Sequence, residues 1–120
     1  MEELFERAKK FLIDAEDDFN KGFYDLCVFH LEQSIQLLLK YILAKEVGYF
    51  SKTHSLVILL EDIKKIKPEF AKFLENNRKY LLDLERAYIG ARYLPFKYEK
   101  EEAEELLKFV KEVFNKYEGR

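Results

Sequence analysis

The sequence predicts an all-α fold of four long helices and one short one, with consecutive long helices antiparallel. Three observations carry that prediction. Apolar residues recur at three-four spacing along nearly the whole chain. Only four glycines and two prolines stand among 120 residues, which is little material for the tight turns of an all-β fold, while Leu, Lys, Glu and Phe dominate. The breaks between periodic stretches are short, and short connections set neighbouring helices antiparallel. The length is that of one domain, spanning 1–120, large enough to bury a core without staples.

Leu4, Phe5, Ala8, Phe11, Leu12, Ala15 and Phe19 define a first amphipathic helix that ends near Asn20-Lys21-Gly22. Phe23 to Val47 then form the longest and most apolar helix, about 25 residues and roughly 37 Å. One of its stripes runs through Phe23, Cys27, His30, Ser34, Leu38, Tyr41 and Ile42, and a second through Leu26, Phe29, Leu37 and Leu43. A helix apolar on more than one face is central in a bundle or also covered by another chain, so homodimerisation is expected. After the break at Gly48 to Lys52, a short helix is expected from Thr53 or His54 to Lys65, with Thr53 as its N-cap. Pro68 suits the first turn of the next helix, whose apolar set is Phe70, Phe73, Leu74, Leu81, Leu84, Tyr88 and Ala91, with Asn76-Asn77 placed to interrupt or bend it. Leu94 precedes Pro95 and is pushed toward extended geometry, so that helix stops around Arg92 or Tyr93. Glu99, Glu101 and Glu102 favour a new helix N-terminus, and Ala103, Leu106, Leu107, Val110, Phe114 and Tyr117 give the last inward face.

Twenty-one basic residues against 23 acidic ones leave a net charge of −2, so nucleic acid would have to be held by a local basic patch. A single cysteine excludes an internal disulfide and fits a reducing compartment. The acidic, amphipathic start MEELFERAKK is unlike a signal peptide, and no uninterrupted apolar run approaches the roughly 20 residues of a membrane span. A cytoplasmic location without membrane attachment is therefore expected. Abundant Lys and Glu beside two Gln and one Met resemble a thermophile's composition.

Few constellations carry chemistry. Cys27 and His30 share a helix face and could both reach one ion, but two ligands do not make a metal site, and the pair reads as a buried thiol beside a hydrogen-bonded imidazole. No glycine-rich phosphate loop, G-x-S-x-G elbow or cofactor motif is present. Two stretches stand out from the amphipathic pattern. Lys52-Thr53-His54-Ser55-Leu56 places His54 at a helix start, where unpaired backbone N–H groups favour an anion such as phosphate. YIGARYLPFKY, residues 88 to 98, ends a helix and places Arg92 four residues after Tyr88, hence on the same side, among stiff aromatics that could position it to take phosphate bidentately.

The order of these pieces resembles the HEPN domain, a small helical family presumed to bind nucleotides. The resemblance rests on Ala15-x-x-Asp18-Phe19, Gly22-x-Tyr24-Asp25, the run Phe29-His30-Leu31-Glu32-Gln33-Ser34-Ile35-Gln36-Leu37-Leu38-Leu39-Lys40, then Thr53-His54-Ser55-Leu56 and Ala91-Arg92-Tyr93. It covers nearly the whole chain. Gln36 stands where the family often has Glu, and proline arrives one place late, at Pro95. The R-x(4–6)-H motif that HEPN ribonucleases share is absent, since Arg7, Arg78, Arg86, Arg92 and Arg120 all lack a His at that distance.

The resemblance implies an up-and-down four-helix bundle with an additional short helix, which dimerises and is often encoded beside a minimal nucleotidyltransferase in a two-component, toxin-antitoxin-like system. Matching positions make Lys40, His54, Arg92 and Tyr93 the expected ligand-binding residues, with Gln33 and Gln36 as polar members of the central helix; helical spacing adds Tyr88. The expected function is a non-catalytic module that binds a nucleotide or phosphate-bearing ligand and partners a nucleotidyltransferase. A HEPN-type ribonuclease using Arg92 and His54 is the disfavoured alternative.

Overall fold

The computed structural model of the chain describes residues 2–93 and 97–119, the side chains of 90–93 excepted. Six helices follow one another: α1 (Glu2–Asn20), α2 (Tyr24–Val47), α3 (Leu56–Lys64), α4 (Pro68–Asn76), α5 (Arg78–Tyr93) and α6 (Lys100–Tyr117). No strand occurs among the described residues. The four long helices are α1, α2, α5 and α6.

The all-α prediction holds, with one more division than the five expected helices. Asn77 makes it. Its side-chain amide donates to the Phe73 carbonyl at 2.9 Å, the acceptor its own backbone N–H would use in a continuous helix, and that N–H goes to Leu74 instead at 3.0 Å. Asn competes with the helix in this way because its short amide reaches local backbone groups. Pro68 occupies the first turn of α4 as expected; α5 is described as far as Tyr93, and the expected stop ahead of Leu94-Pro95 falls on residues outside the described ones.

The other ends are closed by local chemistry. Gly22 takes φ +79 after α1, while the Phe23 N–H reaches back to the Asp18 carbonyl at 2.8 Å, a left-handed closure that glycine adopts without Cβ strain. Gly48 does the same for α2 at φ +85, its N–H donating to Ala44. At the start of α6 the Glu99 N–H donates to the Glu102 carboxylate at 2.8 Å, half of a capping box.

The central helix is α2, which packs against α1, α3, α5 and α6. Leu31, Ile35, Leu38, Leu39 and Ile42 are wholly buried on it. Three polar contacts fix α1 antiparallel to it: the Tyr41 hydroxyl donates to Glu2 at 2.9 Å, the Ser34 hydroxyl to the Ala8 carbonyl at 2.7 Å, and His30 pairs with Asp18 at 2.6 Å. Phe5 of α1 then meets Tyr41, Phe114 and Tyr117, which joins α6 to the same core. The stripe from Cys27 onward turns inward, but Phe23 and Leu26 stay 52% and 49% exposed.

No uninterrupted apolar run of membrane-spanning size occurs, as the sequence showed, although by length and composition alone α2 is long and apolar enough to cross a membrane. Seventy-two per cent of its most apolar window is nevertheless buried within the bundle, as in a core helix.

Leu31→Ala is expected to cost roughly 2–5 kcal/mol through lost burial and a residual cavity. Gly48→Ala should cost roughly 1–2 kcal/mol from backbone strain alone, since a Cβ there meets no atom within 4 Å. Urea denaturation, with the slope checked for constancy, measures both.

Candidate functional site

The segment between α2 and α3 is held by its own hydroxyls. The Thr53 N–H donates to the Ser51 hydroxyl at 3.2 Å, and the Ser55 N–H to the Thr53 hydroxyl at 3.0 Å. Ser55, in extended conformation, is the N-cap of α3 and accepts from the Ile58 N–H at 3.2 Å. The expectation that Thr53 caps this helix is therefore corrected by two residues. His54 lies before the helix rather than in its first turn, so it is not one of the residues whose N–H groups head the helix. The reason is tertiary: the Ser55 hydroxyl also donates to Glu85 of α5 at 3.0 Å, and Glu85 accepts from the Val57 N–H at 3.4 Å. A carboxylate at a helix N-terminus interacts favourably with the dipole. Glu85 thereby fixes which hydroxyl serves as the cap.

That clasp sets His54 against α5, where its ring stacks on Tyr88 with centroids 4.9 Å apart and planes 20° from parallel. On its other side His54 meets a polar column on α2. Glu32, Gln36 and Lys40 are spaced by four and share one face. Glu32 is wholly buried, and Gln36 and Lys40 are 6% and 8% exposed. The Glu32 carboxylate accepts from Gln33 and from Gln36, both at 2.7 Å. Lys40 donates to the Gln36 side-chain carbonyl at 3.2 Å, and His54 Nδ1 lies 3.1 Å from the same oxygen.

The orientation of the Gln36 amide follows from its neighbours' chemistry. An ionised carboxylate only accepts and an ammonium only donates, so the NH2 must face Glu32 and the carbonyl must face Lys40. His54 Nδ1 then donates to that carbonyl. In a neutral ring this leaves Nε2 as the acceptor.

Burial pushes the Glu32 carboxyl up to about 7, and the Glu85 charge adds to that effect. The hydrogen bonds from Gln36 and Gln33 and the positive Lys40 act in the opposite sense. Lys40 is held below the ordinary lysine range by burial, with Glu32 opposing the shift. Its ammonium also lies over the Phe50 ring, 5.6 Å from the centroid.

Of the five ligand-binding residues read from the sequence, Lys40 and His54 meet on Gln36, and Tyr88 stacks on His54. Arg92 and Tyr93 lie on α5, one turn beyond Tyr88; their side chains lie outside the described residues. Glu32 and Glu85, which complete the arrangement, were not among the residues singled out from the sequence. The spacing of Glu32, Gln36 and Lys40 along an otherwise apolar helix was the available signal for Glu32; nothing local to Glu85 marks it.

Residues 1–120 match the family model described as the HEPN domain. The chain belongs to the HEPN family. No curated protein and no solved structure gives a match. Within this HEPN domain, Cys27 and His30 are the expected buried thiol and hydrogen-bonded imidazole. Burial pushes the thiol up to about 12, with Asp18 adding to the effect. The His30 ring is paired with Asp18 and flanked by Phe11 and Phe29. A cavity of about 380 Å³ between α5 and α6 carries Asp83, Glu102 and Glu105 against Arg86 and Lys97.

The raised Glu32 group has a defined consequence for the stability of the HEPN bundle. The folded state binds more protons than the unfolded one between the ordinary carboxyl value and about 7, so native stability falls as pH rises through that window. Glu32→Gln removes this titration. Its stability relative to the native protein should rise by roughly 2–4 kcal/mol between pH 4 and pH 8, as read by urea denaturation at each pH.

Proposed function

We propose that this HEPN protein is a non-catalytic module that binds a nucleotide or another phosphate-bearing ligand, dimerises, and partners a separate minimal nucleotidyltransferase in a two-component, toxin-antitoxin-like system. The observation that carries the ligand-binding part is the meeting of His54 and Lys40 on the Gln36 carbonyl, with Tyr88 stacked on the His54 ring. His54 offers a hydrogen-bonding ring on an exposed segment, Tyr88 an aromatic surface, and Lys40 positive charge from behind. The path of α5 supports Arg92 as the phosphate partner, one turn after Tyr88, with Tyr93 beside it to stack on a base.

Dimerisation is supported by the uncovered start of α2. Phe23 and Leu26 belong to its apolar stripes and are about half exposed, an arrangement that a second copy would relieve. The nucleotidyltransferase partner rests on what membership of the HEPN family implies.

A ribonuclease using Arg92 and His54 is the second reading, favoured by the approach of His54 to the end of α5 and opposed by the absence of the R-x(4–6)-H motif.

Calorimetry with ATP and the other common nucleotides tests the proposal. His54→Ala and Arg92→Ala should each weaken binding by about 10- to 100-fold, the equivalent of a lost charge-assisted hydrogen bond. Absence of heat from the native protein, alone and with its partner, sinks direct nucleotide binding. RNA cleavage that either substitution abolishes would replace the module reading with the enzyme reading. Leu26→Lys should halve the mass measured by light scattering if the protein is a dimer.

A further inference from the structure

The carboxylate of Glu32 is expensive to keep ionised, yet it ends a hydrogen-bond chain that runs through Gln36 to the two groups at the ligand face. Both of its oxygens are occupied by amide N–H donors, and the cation it balances, Lys40, sits two turns away at the far side of the same glutamine. The charged groups that act on Glu32 are Lys40 on its own helix and Glu85 on α5. His54 of the α2–α3 segment adjoins the chain through Gln36. Lys40 is thus the principal positive charge against two carboxylates.

An anion brought to His54 adds a third negative charge to this cluster. One of the three must then be given up or be poorly compensated, because little water reaches a group as buried as Glu32 to screen it. Glu85 accepts from the Ser55 hydroxyl and from the Val57 N–H at the start of α3. Glu32 has only neutral amide donors and no solvent-exposed surface.

We propose that Glu32 is a proton-exchanging counter-ion of the site: it neutralises Lys40 while the site is empty and takes up a proton when an anionic ligand is bound. This rests on reading the His54 face as anion-binding. In the exchange one proton passes from solvent to a Glu32 oxygen, and the Lys40 charge that Glu32 had balanced is left to the ligand. The burial that holds the Glu32 carboxyl near 7 makes the exchange available at neutral pH. Binding accordingly strengthens as pH falls through neutrality. Ionised Glu32 also acts as a positioning residue, since its demand for the Gln36 NH2 turns the carbonyl toward Lys40 and His54.

Carbon-13 NMR of the glutamate side-chain carboxyls reads Glu32 directly. In the free protein its resonance should titrate well above the other glutamates, and Lys40→Met should raise its midpoint further by removing the counter-charge. Saturating ATP, and separately inorganic phosphate, should each raise the midpoint by about one pH unit, a tenfold gain in proton affinity. Calorimetry at pH 7.5 in buffers of different ionisation enthalpy should show fewer protons taken up with ATP by Glu32→Gln than by the native protein. That substitution preserves shape, and circular dichroism checks its fold. Phosphate raising the midpoint where ATP does not bind overturns the nucleotide reading alone. ATP or phosphate binding without a shift at Glu32, no shift with either anion, or a Glu32 that titrates with the surface glutamates, overturns the counter-ion proposal.

Discussion

A carboxylate and an ammonium two turns apart on the most buried helix of this protein must be satisfied almost without water, and the site follows from how that is done. Neither group reaches the other directly. Gln36 stands between them, and a side-chain amide is suited to the task because it carries a donor at one corner and an acceptor at the other. Once the donor end is committed to Glu32, the acceptor end is committed to Lys40 and to the ring of His54. A buried polar chain of this kind stabilises only while each link is made, since one missing partner leaves a desolvated group behind. No described buried side-chain N or O atom lacks a partner.

That requirement reaches beyond α2. His54 can meet Gln36 only if the chain between α2 and α3 is drawn in at the right residue, and this depends on Glu85 holding the Ser55 hydroxyl at the head of α3. The two carboxylates have opposite settings. Glu85 is partly exposed and lies where helix N–H groups and a hydroxyl welcome negative charge, whereas Glu32 faces amides inside the bundle. Two acids of the same intrinsic strength therefore play different parts, one as a fixed clasp and one as a group near its titration point.

Local periodicity and punctuation made most of the fold legible. Glycines at 22 and 48, Pro68 and the Glu99 run each mark an end that backbone sterics or the helix dipole dictates, and each was read from its own neighbourhood. Asn76-Asn77 was legible as an interruption for the same reason, although only the bond from Asn77 to the Phe73 carbonyl decides where the break falls. Thr53 and Ser55 illustrate the limit. Both are good N-caps two residues apart, and the choice between them was made by a carboxylate thirty residues away in sequence. His54, Lys40 and Tyr88 could be named as candidates without that knowledge. The meeting of Lys40 and His54 on Gln36, with Tyr88 stacked on His54, depends on how three segments pack, and no single stretch of sequence contains it.

Glu32 was hidden by a sound general rule, that charged residues on helices face water. The rule fails where a helix has no water-facing side, and α2 from Cys27 to Ala44 is nearly such a helix. There the spacing of polar residues carries more information than their number. Charges scattered around a buried helix would each need a separate partner from another element. Glu32, Gln36 and Lys40, placed four apart, instead supply one another from a single helix face, and most of their demand is met before any other element arrives. What remains is one acceptor position on the Gln36 carbonyl, and His54 takes it. The same three residues thus reconcile a charged column with a buried core and fix where the exposed imidazole stands.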